Sequence, residues 1–158
     1  MSEFSHLDKT GKATMVDVSA KAVTSRTATA RSIVYLPDEV LQQLIDGELQ
    51  TKKGSVFQIA VIAGIMAAKK TGDLIPLCHP LGLDNCNIDI QLNGQQEVVI
   101  ECTATITAKT GIEMEALVGA SIAALTIYDM CKALSHDIII KETKLIEKTG
   151  GKRDFKRA

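Results

Sequence analysis

From residue 86 onward, Cys86, Ile88, Ile90 and Leu92 alternate strictly with Asn87, Asp89 and Gln91. A side-chain period of two puts one set on each face of a strand, so this stretch predicts a half-buried β-strand. Asn93-Gly94 follows at once, a strong hairpin signal, and Glu97 to Thr107 returns as the partner strand. One apolar face of such a hairpin must be covered, and the segments on either side read as helices. Ser55-Val-Phe-Gln58 is a capping-box pattern followed by helically spaced apolar residues to Met66. Lys69 and Lys70 fall in its last turn and Gly72 reads as its stop. Thr110-Gly-Ile-Glu113 is a second capping box, opening a long helix to about Leu134. The middle of that helix (Gly119, Ala120, Ser121, Ala123, Ala124) is small enough for another element to approach closely.

The remaining segments complete an α+β pattern. Ala22 to Leu36 reads as a long strand whose alternation is blurred in the middle. Pro37-Asp38-Glu39 opens a short helix with Val40, Leu41, Leu44 and Ile45 on one stripe, closed by Gly47. Asp73 to Pro80 is a loop, and Ile138 to Lys148 a final strand or pair of strands. The expected organisation is a flexible N-terminal arm (1–14), a single α+β domain (15–148) with an antiparallel sheet and helices on one face, and a glycine-rich basic tail (149–158). A chain of 158 residues suits one such domain.

Composition removes several function classes. Only 3% of residues are aromatic and none is Trp, so the core is aliphatic and base stacking is not the binding mode. A formal charge of −1 argues against a nonspecific nucleic-acid binder. The four cysteines form no CxxC pair, so no zinc finger or thioredoxin site is indicated. No signal peptide is legible, and Lys69 and Lys70 end the longest apolar run read as a membrane candidate, which points to a cytoplasmic protein without a membrane partner. The bland helix face makes self-association the expectation.

Four groups of residues are suited to chemistry, and each also has an ordinary structural explanation. His79, in Leu77-Cys78-His79-Pro80, is held by Pro76 and Pro80 for proton transfer or phosphate contact, or else its ring caps backbone groups. Asp129 and Lys132 lie one helical turn apart, as an acid–base pair or a surface ion pair. A carboxylate near a helix C-terminus is disfavoured by the dipole, so Asp129 needs a further reason. Glu113 and Glu115, flanking Met114, suit the N–H groups of a guanine-like base; Glu113 is equally explained as the capping-box residue. Lys52-Lys53-Gly54 precede a helix N-terminus, where anions are favoured, and Lys148-Thr-Gly-Gly-Lys152-Arg153 is a basic segment able to close over phosphates, without Walker-loop spacing. Solvated lysines and a frayed tail account for both as well, and Arg26 is similarly ambiguous. The residues themselves support a site for an anionic ligand with acid–base chemistry.

Four longer strings go further: Met15-Val-Asp-Val-Ser-Ala-Lys21, Asp73-Leu-Ile-Pro-Leu-Cys-His-Pro80, Lys109-Thr-Gly-Ile-Glu-Met-Glu-Ala-Leu117 and Ala124-Leu-Thr-Ile-Tyr-Asp-Met-Cys-Lys132. Together they closely resemble the cyclic pyranopterin monophosphate synthases, the MoaC family, in register from about residue 5 to 155. The resemblance implies a ferredoxin-like α+β fold and a hexamer, a trimer of dimers with active sites at dimer interfaces. It implies a lyase of molybdenum cofactor biosynthesis that acts on 3′,8-cyclo-7,8-dihydroguanosine 5′-triphosphate and releases cyclic pyranopterin monophosphate and diphosphate. By resemblance, Asp129 and Lys132 are the catalytic acid–base pair and Lys53 a further catalytic lysine. Leu77, Cys78 and His79 match the substrate-binding loop, and Met114 with Glu115 the second binding segment. Glu113, Arg26, Lys69 and Lys148 match other active-site groups. The tail departs from the family's usual Gly-Gly-Lys-Ser-Gly-Asp, since Arg153 alone separates Lys152 from Asp154.

Such chemistry implies cations around a triphosphate, successive proton transfers, and no required cofactor. A divalent ion on the substrate phosphates is compatible with it, and no protein ligand set for a metal is signalled. Two rival readings remain: a non-catalytic oligomer that binds a phosphorylated ligand, and a cyclohydrolase, which would need a metal site that Cys78 and His79 alone do not make.

Overall fold

The computed structural model describes residues 4–158; the first three residues of the expected N-terminal arm lie outside the described residues. A long strand β1 (Thr24–Tyr35) leads to one helical turn, α1 (Asp38–Leu41), then to the short strands β2 (Leu44–Ile45), β3 (Glu48–Thr51) and β4 (Gly54–Ser55). Helix α2 (Val56–Lys69) and a further turn α3 (Thr71–Leu74) precede the hairpin β5 (Asn85–Leu92) and β6 (Glu97–Ala108). Helix α4 (Glu113–Cys131), β7 (Ile139–Thr149) and the short β8 (Phe155–Lys156) follow. The main sheet runs β5-β6-β1-β7-β8 with every neighbour antiparallel, and α2 and α4 pack on one face, which is the α+β architecture expected from the sequence.

Alternation explains the layering. In β6, Val98, Ile100, Cys102, Ala104 and Ile106 are buried, and Cys102 lies directly under Gly119 of α4. In β1 the buried residues are Ala28, Ala30, Ser32 and Val34. Three of these four are small, which is why the strand's pattern is faint in sequence, and α4 packs across this strand. Buried Ser32 is satisfied by a 2.6 Å hydrogen bond to the Thr143 hydroxyl. α4 is long and apolar enough to cross a membrane by length and composition. Here its small-residue face, including Ala116, Ala120, Ala123 and Ala124, is buried against the sheet and α2.

Several local readings are corrected. The helix expected from Pro37 to Gly47 stops at Leu41, and Leu44–Ile45 pairs with Glu48–Leu49 across a two-residue turn. Asp46 and Gly47 have φ of 50° and 76°, the doubly positive signature of a type I′ turn, so Asp-Gly is a hairpin signal rather than a helix stop. At the other hairpin the left-handed residue is Gln96 (φ 59°), not Gly94; the Asn93 side chain accepts from the backbone N–H groups of Gln95 and Glu97 and sets the turn. Ser55 is the N-cap of α2, yet its side chain makes no capping bond. Glu48 caps instead, its Oε1 accepting from Phe57 N at 3.0 Å, while Ser55 Oγ accepts from Gln50 Nε2. At α4 the N-cap is Ile112, and neither Thr110 nor Glu113 forms the capping box. Gly72 is no stop either: it lies inside α3, where an added Cβ would come within 3.1 Å of Pro80 Cα.

Candidate active site

The end of the sheet where α4 begins carries a cavity of about 430 Å³. Its wall brings together Arg26 from β1, Leu77, Cys78 and His79 from the loop after α3, Glu113, Met114 and Glu115 from the first turn of α4, and Lys148 from β7. Eight of the site residues anticipated from sequence therefore converge. The segment preceding β1 supplies a further part of the wall through Ser5, His6, Val16, Val18 and Lys21. His79 Nε2 lies 2.7 Å from the Val16 carbonyl, so this ring does cap a backbone group, and in doing so it ties its own loop to that segment.

The two carboxylates differ in state. With no capping duty, Glu113 accepts from Lys148 Nζ at 2.7 Å. Burial raises its pKa, but the Lys148 hydrogen bond and the nearby positive charges outweigh it and hold the carboxyl below the ordinary value. Glu115 is 2% exposed and its Oε2 has no hydrogen-bond partner. Burial pushes its pKa up, the Glu113 charge adds to this, and its own backbone N–H opposes it. An orphaned buried carboxyl oxygen costs the folded state, on the order of 1–3 kcal/mol or more.

That cost has a measurable sign. A carboxyl raised in the folded state binds its proton more tightly there than in the unfolded chain, so stability falls as pH rises from the ordinary glutamate range through the raised value. Glu115→Gln removes the buried charge without changing shape. Its melting temperature at pH 7 is expected to exceed that of the parent by a few degrees, and the gap to close near pH 4. Equal melting curves at pH 7 would mean that the carboxyl is satisfied after all.

The remaining anticipated residues lie elsewhere. Asp129 and Lys132 form a 2.6 Å ion pair at the other end of α4, with side chains 56% and 54% exposed. The Lys132 hydrogen bond and charge, joined by Lys53, hold Asp129 below the usual carboxylate range, and Asp129 holds Lys132 above the usual amine range. Lys53 sits in the β3–β4 turn, close enough for its charge to be felt at Asp129. From Glu115 to Asp129 is 14 residues of helix, about 21 Å at 1.5 Å per residue. Lys69 is exposed in the last turn of α2, outside the cavity, with its charge near Cys86. One chain thus carries two separate halves of the anticipated constellation.

Sequence reasoning gave no role to Ser5, His6 or Lys21 in the cavity wall, and Lys152 also lines it. Lys21 closes the first of the four resembling strings, so a signal was present; for Ser5 and His6, short polar residues in an arm without periodicity, there was none.

Comparison with known proteins identifies the scaffold. The model of the MoaC family matches residues 15–151. The chain belongs to the MoaC family. A cyclic pyranopterin monophosphate synthase of Xanthomonas axonopodis pv. citri (strain 306) is 57% identical over 150 residues, covering 95% of this chain and 91% of the relative. The synthase of the same name from Xanthomonas oryzae pv. oryzae is 55% identical with the same coverage. A molybdenum cofactor biosynthesis bifunctional protein of Synechocystis is 52% identical over 155 residues, covering 96% of this chain and 45% of that longer protein. As a member of this MoaC family, the chain is an enzyme.

Proposed function

We propose that this MoaC-family chain converts 3′,8-cyclo-7,8-dihydroguanosine 5′-triphosphate to cyclic pyranopterin monophosphate and diphosphate, as a phosphorus–oxygen lyase in the cytoplasmic synthesis of molybdenum cofactor. The observation that carries the reading is Glu115, a buried carboxyl with an orphaned oxygen on the wall of a cavity that also holds cations and the N-terminus of α4. A guanine-derived ring offers N–H donors for that oxygen, and a triphosphate offers charge for the cations and the helix end. His79 and its loop hold the substrate against this wall.

The acid–base step belongs to Asp129, Lys132 and Lys53. In one exposed chain they are an ordinary ion pair with a third charge nearby, ionised at neutral pH and poorly poised for proton transfer. Covering the pair against a second copy would desolvate it, weaken its hold on the charged forms and bring it to a cavity it cannot reach in its own chain. Ile62, Met66 and Leu125 on the outer faces of α2 and α4 are more than half exposed, which favours association of copies, up to the hexamer that the resemblance implies. A divalent ion would ride on the substrate phosphates: among the described residues no group of three or more His, Cys, Asp or Glu side chains is placed to hold one.

The direct test incubates the protein with the cyclised nucleotide and follows diphosphate release and a pterin that fluoresces after oxidation, with GTP left untouched. Binding of the nucleotide without diphosphate release would favour the non-catalytic reading. A requirement for tightly bound zinc would favour the cyclohydrolase.

A further inference from the structure

Residues 4–23 line the cavity without joining the body of the domain. They add no strand to the main sheet, and their isolated bridge, Leu7 to Ala13, is internal. Phe4, Leu7, Met15 and Val23 are exposed, and Val16 and Val18, which line the cavity, take no part in the hydrophobic core. Among the described residues, two hydrogen bonds tie this segment to the rest of the chain. His79 Nε2 donates to the Val16 carbonyl at 2.7 Å, and Lys109 Nζ donates to the Ser19 carbonyl at 3.0 Å.

The two pins start from the two segments that carry the binding residues. His79 belongs to the loop after α3, and Lys109 to the connection between β6 and α4, just ahead of Glu113, Met114 and Glu115. Lys109 is itself held, its carbonyl accepting from Arg26 Nη2 at 3.1 Å. On the other side, Asp17 Oδ1 accepts from the Ser19 N–H at 2.9 Å and the Ser19 hydroxyl at 2.6 Å, shaping the turn in which the Ser19 carbonyl sits. A hydrogen bond contributes little net stability, so two of them on an exposed segment release it locally while the core stays folded.

We propose that residues 4–23 are a lid that opens to admit the substrate and closes to exclude water, and that Lys109 is a positioning residue that holds it shut. What the lid covers rests on the substrate reading above; the lid itself rests on the two pins. His79 would serve ligand and lid together. Lys109 does not line the cavity, so it reports on the lid alone.

The Ser19 and Lys21 amides donate within the segment, which makes its opening readable by hydrogen exchange. In ligand-free Lys109→Met, exchange in residues 16–21 is expected to quicken roughly threefold to tenfold, the weight of one hydrogen bond, with β1, α4 and the melting temperature unaffected. KM for the cyclised nucleotide should rise by a similar factor while kcat holds. Lys109→Arg should restore both, and Lys9→Met, which takes a charge from the lid but leaves both pins, should match the parent. Faster exchange confined to the segment supports the lid; a parent that then fails to turn the nucleotide over counts against the substrate reading alone. Parental exchange in Lys109→Met overturns the lid whether or not the parent is active. Parental KM in an active variant, or protection lost across β1 and α4, overturns the positioning role of Lys109.

Discussion

Lys132→Ala is expected to lose roughly a hundredfold or more in kcat, the usual scale for an acid–base group, and Glu115→Ala to be similarly impaired through its loss of base recognition. The decisive result is what the two do together. The ion pair and the cavity lie about 21 Å apart on one helix, and the proposed function has a working site draw its cavity from one copy and its acid–base pair from another. A dimer of one Lys132→Ala chain and one Glu115→Ala chain then has one site with both lesions and one with neither. Refolding the two inactive proteins together in equal amounts should restore about a quarter of parental activity. If the co-refolded mixture stays at the level of the single variants, the halves do not meet across an interface. Sedimentation of the parent checks the same arrangement independently, because on this proposal an active monomer at assay concentration is not expected.

Much of the fold was legible because alternation and helical spacing are geometric. Cys86 to Leu92 appears as a half-buried strand, the return strand runs to Ala108, and the small residues of α4 do admit a neighbour, α2. What misled were side chains whose partners are distant in sequence. Ser55 and Thr110 each sit where a cap is plausible, but Glu48 reaches α2 first and Lys148 takes Glu113, and both outcomes depend on folding that no local window contains. Asp46-Gly47 was a hairpin signal obscured by a four-residue apolar stripe, with the competing period winning on paper and losing in the structure. The site was legible in kind but not in arrangement. His79 and the scattered lysines suggested an anion site and Glu113 with Glu115 a base-binding one; only the fold shows that His79, Glu113, Glu115 and Lys148 share a cavity while Asp129 and Lys132 stand apart. Glu115 looked like an ordinary first-turn acid, and its burial and missing donor exist only in three dimensions.

Gly64→Val is expected to be the most damaging substitution for the fold. A Cβ at this position lies 2.7 Å from the Gly119 carbonyl oxygen and 3.2 Å from Ala123 Cβ, and it also meets Ile88 Cδ1. Replacing a helical glycine ordinarily favours the helix, by roughly 1 kcal/mol for alanine. Here sterics oppose that gain, and the nature of the obstruction decides the balance. Ile88 can rotate aside, but the Gly119 oxygen is backbone, fixed in α4, and α4 cannot retreat because the space beside Gly119 on its sheet side is filled by Cys102 Sγ. Overpacking of this sort typically costs about 1–3 kcal/mol per site, and valine adds two further methyl groups to the clash. A fall in melting temperature of roughly 5 °C or more follows for a domain of this size, against little change for Gly82→Ala, where nothing lies within 4 Å. Because α4 carries Glu115 at one end and Asp129 at the other, any variant that survives by letting the helix shift should lose turnover even below its melting point. A Gly64→Val protein with parental melting temperature and parental kcat would show that the α2–α4 contact is softer than its geometry, and that the helix does not hold the two halves of the site in place.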